Sequence, residues 1–323
     1  MTPFVRLMLW PALLAGAGTA RAQEGPSLSP GAERYLNAAL DTIQAVTLGR
    51  DTLPWRTIRD SAFLLVSGAR SPRDTYGAIH WALRRVNKHS FLQARGPGAV
   101  AEVLPGRVGY LRVPARGGPG VALADSLHLA VGALQDSGVC GWIVDLRGNG
   151  GGNMWPMLAG VGPLLGDSIV GRFGGGPAAQ RWLYRRGAAG LLHGDGTVET
   201  ITSVTVPAVV PAPSTAPLAL LFDGGTGSSG EAVAVAFLGR ANSRSFGTPT
   251  AGFATSNRGS RLSDGANMVV TTGYYRDRTG REYPEQLEPD SVVTGGVSGF
   301  PFPTDRVARA AGAWLARQAA CRD

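Results

Sequence analysis

The spacing of apolar residues changes character three times along the chain. From Ala32 to Val46, Tyr35, Leu36, Ala39, Leu40, Ile43 and Val46 recur every three or four positions, which predicts an amphipathic helix. Trp55 to Leu65 predicts a second. Ser71-Pro72 opens a third, with proline in its first turn, running through Tyr76, Ile79, His80, Leu83 and Val86 and closing near Asn87-Lys88-His89-Ser90. Residues 28–90 thus read as a small helical subdomain. Beyond Gly96-Pro97-Gly98 the pattern becomes that of alternating strand and helix. Val108 to Val113 reads as a strand, Leu123 to Leu134 as a helix stopped by Gly138, and Val139 to Leu146 as a nearly all-apolar strand. Together they predict a right-handed β-α-β unit in a buried parallel sheet.

A helix follows over Pro156 to Leu165. Residues 167–214 show little periodicity and predict strands and loops covering a site. Pro217 to Phe222 is apolar and reads as a strand, followed by a glycine turn and the alanine-rich run Ala232 to Leu238, a buried helix. Arg244 to Phe253 predicts a strand and turn, and Ala266 to Gly273 a β-rich run. Tyr274 to Asp290 is polar and turn-rich, and Thr304 to Ala320 predicts a terminal amphipathic helix (304–320). The expected class is α/β, with a core over residues 105–310.

The N-terminus departs from this scheme. Arg6, the apolar run Leu7 to Ala15 and Ala20-Arg21-Ala22 have the form of a secretory signal peptide over residues 1–22, too short to span a bilayer. No cysteine stands at the cleavage point, which argues against a lipid anchor, and no later run is long and apolar enough for a membrane span. The expectation is an exported protein, periplasmic or extracellular. Net charge is +8 over 323 residues, but Lys88 is the only lysine and the arginines are scattered, so no nucleic-acid-binding stripe is formed. Cys140 and Cys321 are compatible with one disulfide or with two buried thiols. His80, His89, His128 and His193 lack metal-ligand spacing, and neither metal nor cofactor is expected.

The candidate chemistry centres on Thr226-Gly227-Ser228-Ser229-Gly230-Glu231, between the apolar strand and the buried helix. Free N–H groups and the helix dipole at such a turn stabilise negative charge, so a serine here can serve as nucleophile or simply as helix cap. Gly225 to Gly230 also spells G-x-G-x-x-G. Dinucleotide binding needs an acidic residue about 20 positions on, and none occurs between Glu231 and Asp264. Thr226 replaces the first glycine of the G-x-S-x-G elbow. A nucleophile at Ser228 requires a base, either Lys88 or a histidine. His89 is the best placed, at a loop after a helix and beside Ser90. A second glycine run, Gly150-Gly151-Gly152, follows the apolar strand, where consecutive N–H groups can approach an oxyanion.

These segments, in order, resemble the C-terminal processing (tail-specific) serine peptidases, relatives of the tricorn core and of interphotoreceptor retinoid-binding protein. Asp145-Leu146-Arg147-Gly148-Asn149-Gly150-Gly151-Gly152 is similar to D-L-R-x-N-x-G-G, and Thr226 to Glu231 to T-A-S-S-G-E. Gly247-Thr248-Pro249-Thr250-Ala251-Gly252 is similar to G-x-P-T-x-G, Leu262 to Gly265 to L-x-D-G, and Lys88-His89-Ser90 to D-x-H-S. The resemblance implies a crotonase/ClpP-like β-α-β superhelical core with an N-terminal helical subdomain. It implies a peptide or protein substrate, Ser228 as nucleophile, and an oxyanion hole from Gly151, Gly152 and the Ser229 N–H. Where lysine-dyad members read Gly-Lys, this chain has Gly252-Phe253, and residues 90–108 leave no room for a PDZ domain. Both departures imply a histidine base, His89, with Ser90 beside it and a later glutamate, Glu285 with Glu282 as second choice, completing the set. An apolar-ligand carrier and an esterase are the alternative uses of the same fold.

Overall fold

The computed structural model describes residues 28–47, 50–86, 99–174, 179–261, 263, 267–295 and 305–322. The chain forms two compact units, dividing between Leu92 and Gln93. The predicted signal peptide, and His89 and Ser90, lie outside the described residues.

The first unit contains three helices, α1 (Pro30–Val46), α2 (Trp55–Leu64) and α3 (Tyr76–Val86). Leu36, Leu40 and Ile43 from α1 pack with Ile58 and Ala62 from α2 and Ala78, Ile79 and Ala82 from α3. Ser29 starts α1: its Oγ accepts from Ala32 N at 3.2 Å and donates to Arg70 O at 2.8 Å. The third helix differs from expectation. Pro72–Thr75 forms a separate 3-10 turn before it, with Asp74 Oδ2 accepting from the N–H groups of Arg70 and Ser71, both at 2.9 Å.

The second unit has two sheets. The first contains β1 (Val100–Leu104), β2 (Val108–Arg112), β3 (Gly141–Asp145), β8 (Leu218–Phe222), β9 (Ser243–Gly247) and β13 (Ser291–Val292), in that order. Only β1 runs antiparallel to its neighbour; the other pairs are parallel. The β2-α4-β3 unit, with α4 over Val121–Asp136, is the β-α-β unit expected from the apolar pattern. Every residue of β3 and β8 is buried, as continuous apolar strands require when both faces are covered. On one face, Trp142, Val144, Leu218, Leu220 and Phe222 pack with α4, α5 (Met154–Leu165) and α6 (Ser229–Phe237). On the other, Ile143, Ala219 and Leu221 meet Val307, Ala311 and Leu315 of α7 (Arg306–Leu315).

Between β3 and β8 the chain leaves the first sheet to build most of the second. Strands β4 (Ser168–Phe173), β5 (Gln180–Arg185), β6 (Ala188–Leu192) and β7 (Val198–Ser203) form an antiparallel meander. β10 (Thr255–Arg261) and β11 (Asn267–Asp277) extend it in the order β10-β11-β4-β5-β6-β7, with the short β12 (Glu282–Tyr283) also on β11. Phe173, Trp182 and Tyr275 pack edge to face or tilted at the centre of this sheet, with ring centroids 4.9–5.6 Å apart.

The Asp-Leu-Arg segment is a structural clamp. Arg147 Nε donates to Asp145 Oδ1 at 2.9 Å and Nη2 to Asp145 Oδ2 at 2.7 Å, while Nη1 donates to Asp305 Oδ2 at 2.6 Å. Asp305 Oδ1 caps α7 by accepting from Val307 N and Ala308 N. Burial disfavours the guanidinium charge, but the two carboxylates outweigh it and hold Arg147 above its ordinary range. The end of β3 is thereby tied to the terminal helix.

Cys140 and Cys321 form a disulfide, settling the alternatives left open by sequence. It closes a loop of 181 residues between the start of β3 and the turn after α7. A bridge of this span typically contributes about 2–4 kcal/mol. A Cys140→Ser/Cys321→Ser variant is expected to melt roughly 5–15 °C lower in calorimetry, with dithiothreitol lowering the parent protein to the same temperature.

Candidate active site

The site follows from the sheet order. β3 and β8 are adjacent and parallel, with Trp142 opposite Leu218 and Asp145 opposite Leu221. The loops after them therefore emerge side by side at the carboxyl edge, where open α/β sheets place ligands. The glycine run leaves β3, and the Ser228 turn leaves β8.

The two loops are laced together. Gly227 N donates to Asn149 O at 3.0 Å, Gly148 N to Asp223 Oδ1 at 2.9 Å, and Thr226 Oγ1 to Leu146 O at 2.8 Å. Asp223 Oδ1 also accepts from Gly225 N at 2.9 Å. Burial raises the Asp223 carboxyl against the pull of these N–H groups. The glycines permit the close approach. A Cβ on Gly230 would lie 2.1 Å from Asn149 O, and one on Gly151, at φ +107°, would lie 2.9 Å from Ser229 N and 3.0 Å from Ser228 Cβ.

Ser228 has φ 52° and ψ −119°. A non-glycine residue at positive φ stores strain that the surroundings must hold, and such residues concentrate at functional sites. It immediately precedes α6. Its hydroxyl-bearing turn borders a cavity of about 910 Å³ together with Gly152, Ser229 and residues of the second sheet.

The expected oxyanion donors are placed unequally. Gly151 N donates to the Asn149 side-chain oxygen at 3.1 Å, so this N–H is already engaged and Gly151 does not line the cavity. Gly151 also packs closely against the Ser228 turn. Gly152 and Ser229 do line the cavity, and the Ser229 hydroxyl donates to Gly152 O at 2.7 Å, joining the two loops beside it. Gly152 is held by Arg116, whose N donates to Gly151 O at 3.2 Å and whose O accepts from Asn153 N at 2.6 Å.

Glu231 is the residue that sequence reading passed over. It is fully buried. Its Oε2 accepts from Ser228 N and Phe253 N, both at 2.8 Å, and its Oε1 from Gly252 N at 2.9 Å and Thr250 Oγ1 at 2.5 Å. One carboxylate thus fastens the serine turn to the Thr250–Phe253 segment. Burial pushes its carboxyl up, while these four donors favour the ionised form. The signal was present in the chain as the acidic residue three after Ser228, a capping-box position. Glu285, by contrast, is exposed and has no hydrogen bond or ion pair among the described residues, and Glu282 pairs with Arg276. Neither lines the cavity.

Phe253, where the resemblance would have placed a dyad lysine, lies beside Gly227 and is held through its N–H by Glu231. Two other histidines are committed elsewhere. His128 is buried on α4 and its Nε2 accepts from Val209 N at 2.9 Å, and burial lowers its pKa. His193 Nε2 lies 3.1 Å from Glu199. Neither borders the cavity. No metal-binding cluster occurs among the described residues.

Residues 107–293 match the sequence profile of peptidase family S41, and the chain belongs to that family. Among known proteins, it is 26% identical over 280 residues to the nisin-resistance protein of Lactococcus lactis subsp. lactis, a match covering 83% of this chain and 86% of that one. Similar solved structures include a lipoprotein from Streptococcus agalactiae, at TM-score 0.48 and 22% identity, covering 89% of this chain and 96% of that one. A photosystem II D1 C-terminal processing protease is similar at TM-score 0.40 and 15% identity, covering 82% and 94%.

Proposed function

We propose that this peptidase-family chain is an exported serine peptidase that cleaves peptide bonds through an acyl-enzyme on Ser228, with His89 as base. The observation that carries the reading is the strained Ser228 at the head of α6, on a cavity shared with Gly152 and Ser229. In this scheme His89 takes the Ser228 proton as Oγ attacks the substrate carbonyl. N–H groups of Gly151, Gly152 and Ser229 hold the oxyanion, each such donor being worth ~10²–10³ in rate. His89 then protonates the leaving amine and activates the water that releases the acyl group. His89 is favoured over His128 and His193, which are engaged elsewhere, and by the phenylalanine, Phe253, that stands where the resemblance would place a dyad lysine.

Export rests on the form of residues 1–22; among the described residues no helix is long and apolar enough to cross a membrane. The cavity wall of Asn153, Gln180, Ser256, Asn257 and Thr272 suits a peptide better than an apolar ligand. The name of the Lactococcus relative makes nisin one peptide to include among trial substrates.

The pH dependence of kcat/KM tests the choice of base. A histidine base near its ordinary pKa of ~6.5 is neutral and competent at pH 7.5. Activity should therefore be full above that value and fall tenfold per unit as pH drops below it. A fall that begins instead below pH 9, with His89→Ala as active as the parent, would assign the base to a lysine.

A further inference from the structure

We propose that one face of the second sheet docks on anionic membranes, with a row of arginines taking the phosphate groups of the lipid. This goes beyond the peptidase reading and does not depend on it.

The sheet gathers arginines that are scattered in the chain. Arg276 on β11 stands directly opposite Arg172 on β4, and Arg172 directly opposite Arg181 on β5. Residues so paired share one face, with Cβ atoms about 5 Å apart, and like charges in such pairs are destabilising. Arg276 pairs with Glu282, and Arg181 Nη2 donates to His193 O at 3.0 Å. The guanidinium of Arg172, between them, has no hydrogen bond or ion pair among the described residues. The Nε atoms of Arg172 and Arg276 are shut off from water without a partner, so the stems lie packed and the outer ends of the guanidiniums are left to meet a ligand. Three adjacent cations against one carboxylate leave positive charge that a bound anion would balance, and the planar guanidinium fork suits phosphate.

This face is not the one that borders the Ser228 cavity. Phe173, Gln180 and Tyr275 border the cavity. Each is the chain neighbour of an arginine in the row, so the arginines take the opposite face. Apolar side chains flank them there. Tyr274 alternates with Tyr275 and is 38% exposed. Beyond the bulge at Ser256/Asn257, Asn257 and Gly259 border the cavity, which puts Met268 and Val270 on the arginine face, 44% and 48% exposed. On the other flank Arg181 is opposite Leu192, and Leu192 opposite Val198, which is 53% exposed. A soluble phosphate would need the arginines alone. Cations set between an exposed tyrosine and exposed aliphatic side chains match a bilayer surface, where phosphate lies beside hydrocarbon.

The test is co-sedimentation of the purified protein with vesicles of phosphatidylglycerol and phosphatidylcholine in equal amounts, and with vesicles of phosphatidylcholine alone. Binding is expected to the first only, and should vanish in about 1 M sodium chloride, where the screening length is ~3 Å. Arg172→Gln, Arg181→Gln and Arg276→Gln should each weaken it roughly fivefold, the effect of one basic residue near an anionic surface, and the triple variant by on the order of a hundredfold. Arg172→Gln should melt no lower than the parent, because it relieves like-charge pairs. Met268→Ser/Val270→Ser should also weaken vesicle binding, which a site for soluble phosphate would not show. No binding to the anionic vesicles, equal binding to the neutral ones, or full binding by the triple variant would overturn the proposal. Retention of inorganic polyphosphate by the arginines without vesicle binding would assign the row to a soluble anion instead.

Discussion

Ser228→Ala is expected to lower kcat for peptide hydrolysis by on the order of 10⁴–10⁶-fold, the range seen when the nucleophile of a serine hydrolase is removed. The fold should survive. The serine side chain is small, and the turn is held by backbone and carboxylate bonds that alanine leaves in place: Gly227 N to Asn149 O, Ala251 N to Thr226 O, and Ser228 N to Glu231. The melting temperature should fall by no more than about 4 °C, since the most that alanine removes is the Ser228 side-chain acceptor of the capping box at the head of α6, a loss of ~1 kcal/mol. Loss of activity with the fold retained separates a chemical role from a cap. A cap lost to alanine would cost ~1 kcal/mol and leave turnover intact. The control is Ser229→Ala, which loses the bond to Gly152 O but keeps the Ser229 N–H. It should retain a substantial fraction of activity.

Glu231 carries the second large effect, and on both readouts. Glu231→Ala leaves three N–H groups and one hydroxyl without their acceptor in a buried site. Each unsatisfied buried donor costs roughly 1–3 kcal/mol. Relaxation and entering water would recover part of this, so a loss of about 3–5 kcal/mol is expected, at the upper end for single substitutions. For a unit of this size that is a fall of roughly 6–20 °C in melting temperature. Activity should fall further than stability explains, because the released groups include the Ser228 N–H that holds the strained turn. Glu231→Gln separates the two effects. It keeps the volume but sets an NH₂ group against donors, so it should fold, melt a few degrees lower and lose on the order of 10²-fold in kcat/KM. A Gln variant with parental activity would show that Glu231 serves the fold alone.

The parts of the molecule legible in the chain are those whose signals are local. β3 and β8 are unbroken apolar runs, and the glycine loop and Ser228 turn are punctuated by residues with little other use. Adjacency in the sheet then follows from parallel pairing, and brings two loops some 75 residues apart into one site. The second sheet was less legible because its strands carry mixed signals. Thr255–Arg261 is almost wholly polar, as an edge strand can be, and Gln180–Arg185 alternates only weakly through its arginines.

Glu231 and Glu285 show the same limit at the level of a single side chain. Choosing a partner carboxylate by its position near the last strands selects Glu285, which is exposed. Glu231 earns its role from contacts with residues 19 to 22 positions away, which no local spacing reveals. Gly151 and Gly152 look alike in sequence. In the structure the Asn149 side chain folds back onto Gly151 N, while Gly152 borders the cavity, a difference that no local spacing reveals.

The most direct test of the account is covalent. The purified protein is treated with a fluorophosphonate, digested, and the adduct located by tandem mass spectrometry. The account predicts one stable adduct, on Ser228, absent from Ser228→Ala and formed much more slowly in His89→Ala. An adduct on Ser229, or none on a folded protein that still cleaves peptides, would contradict it.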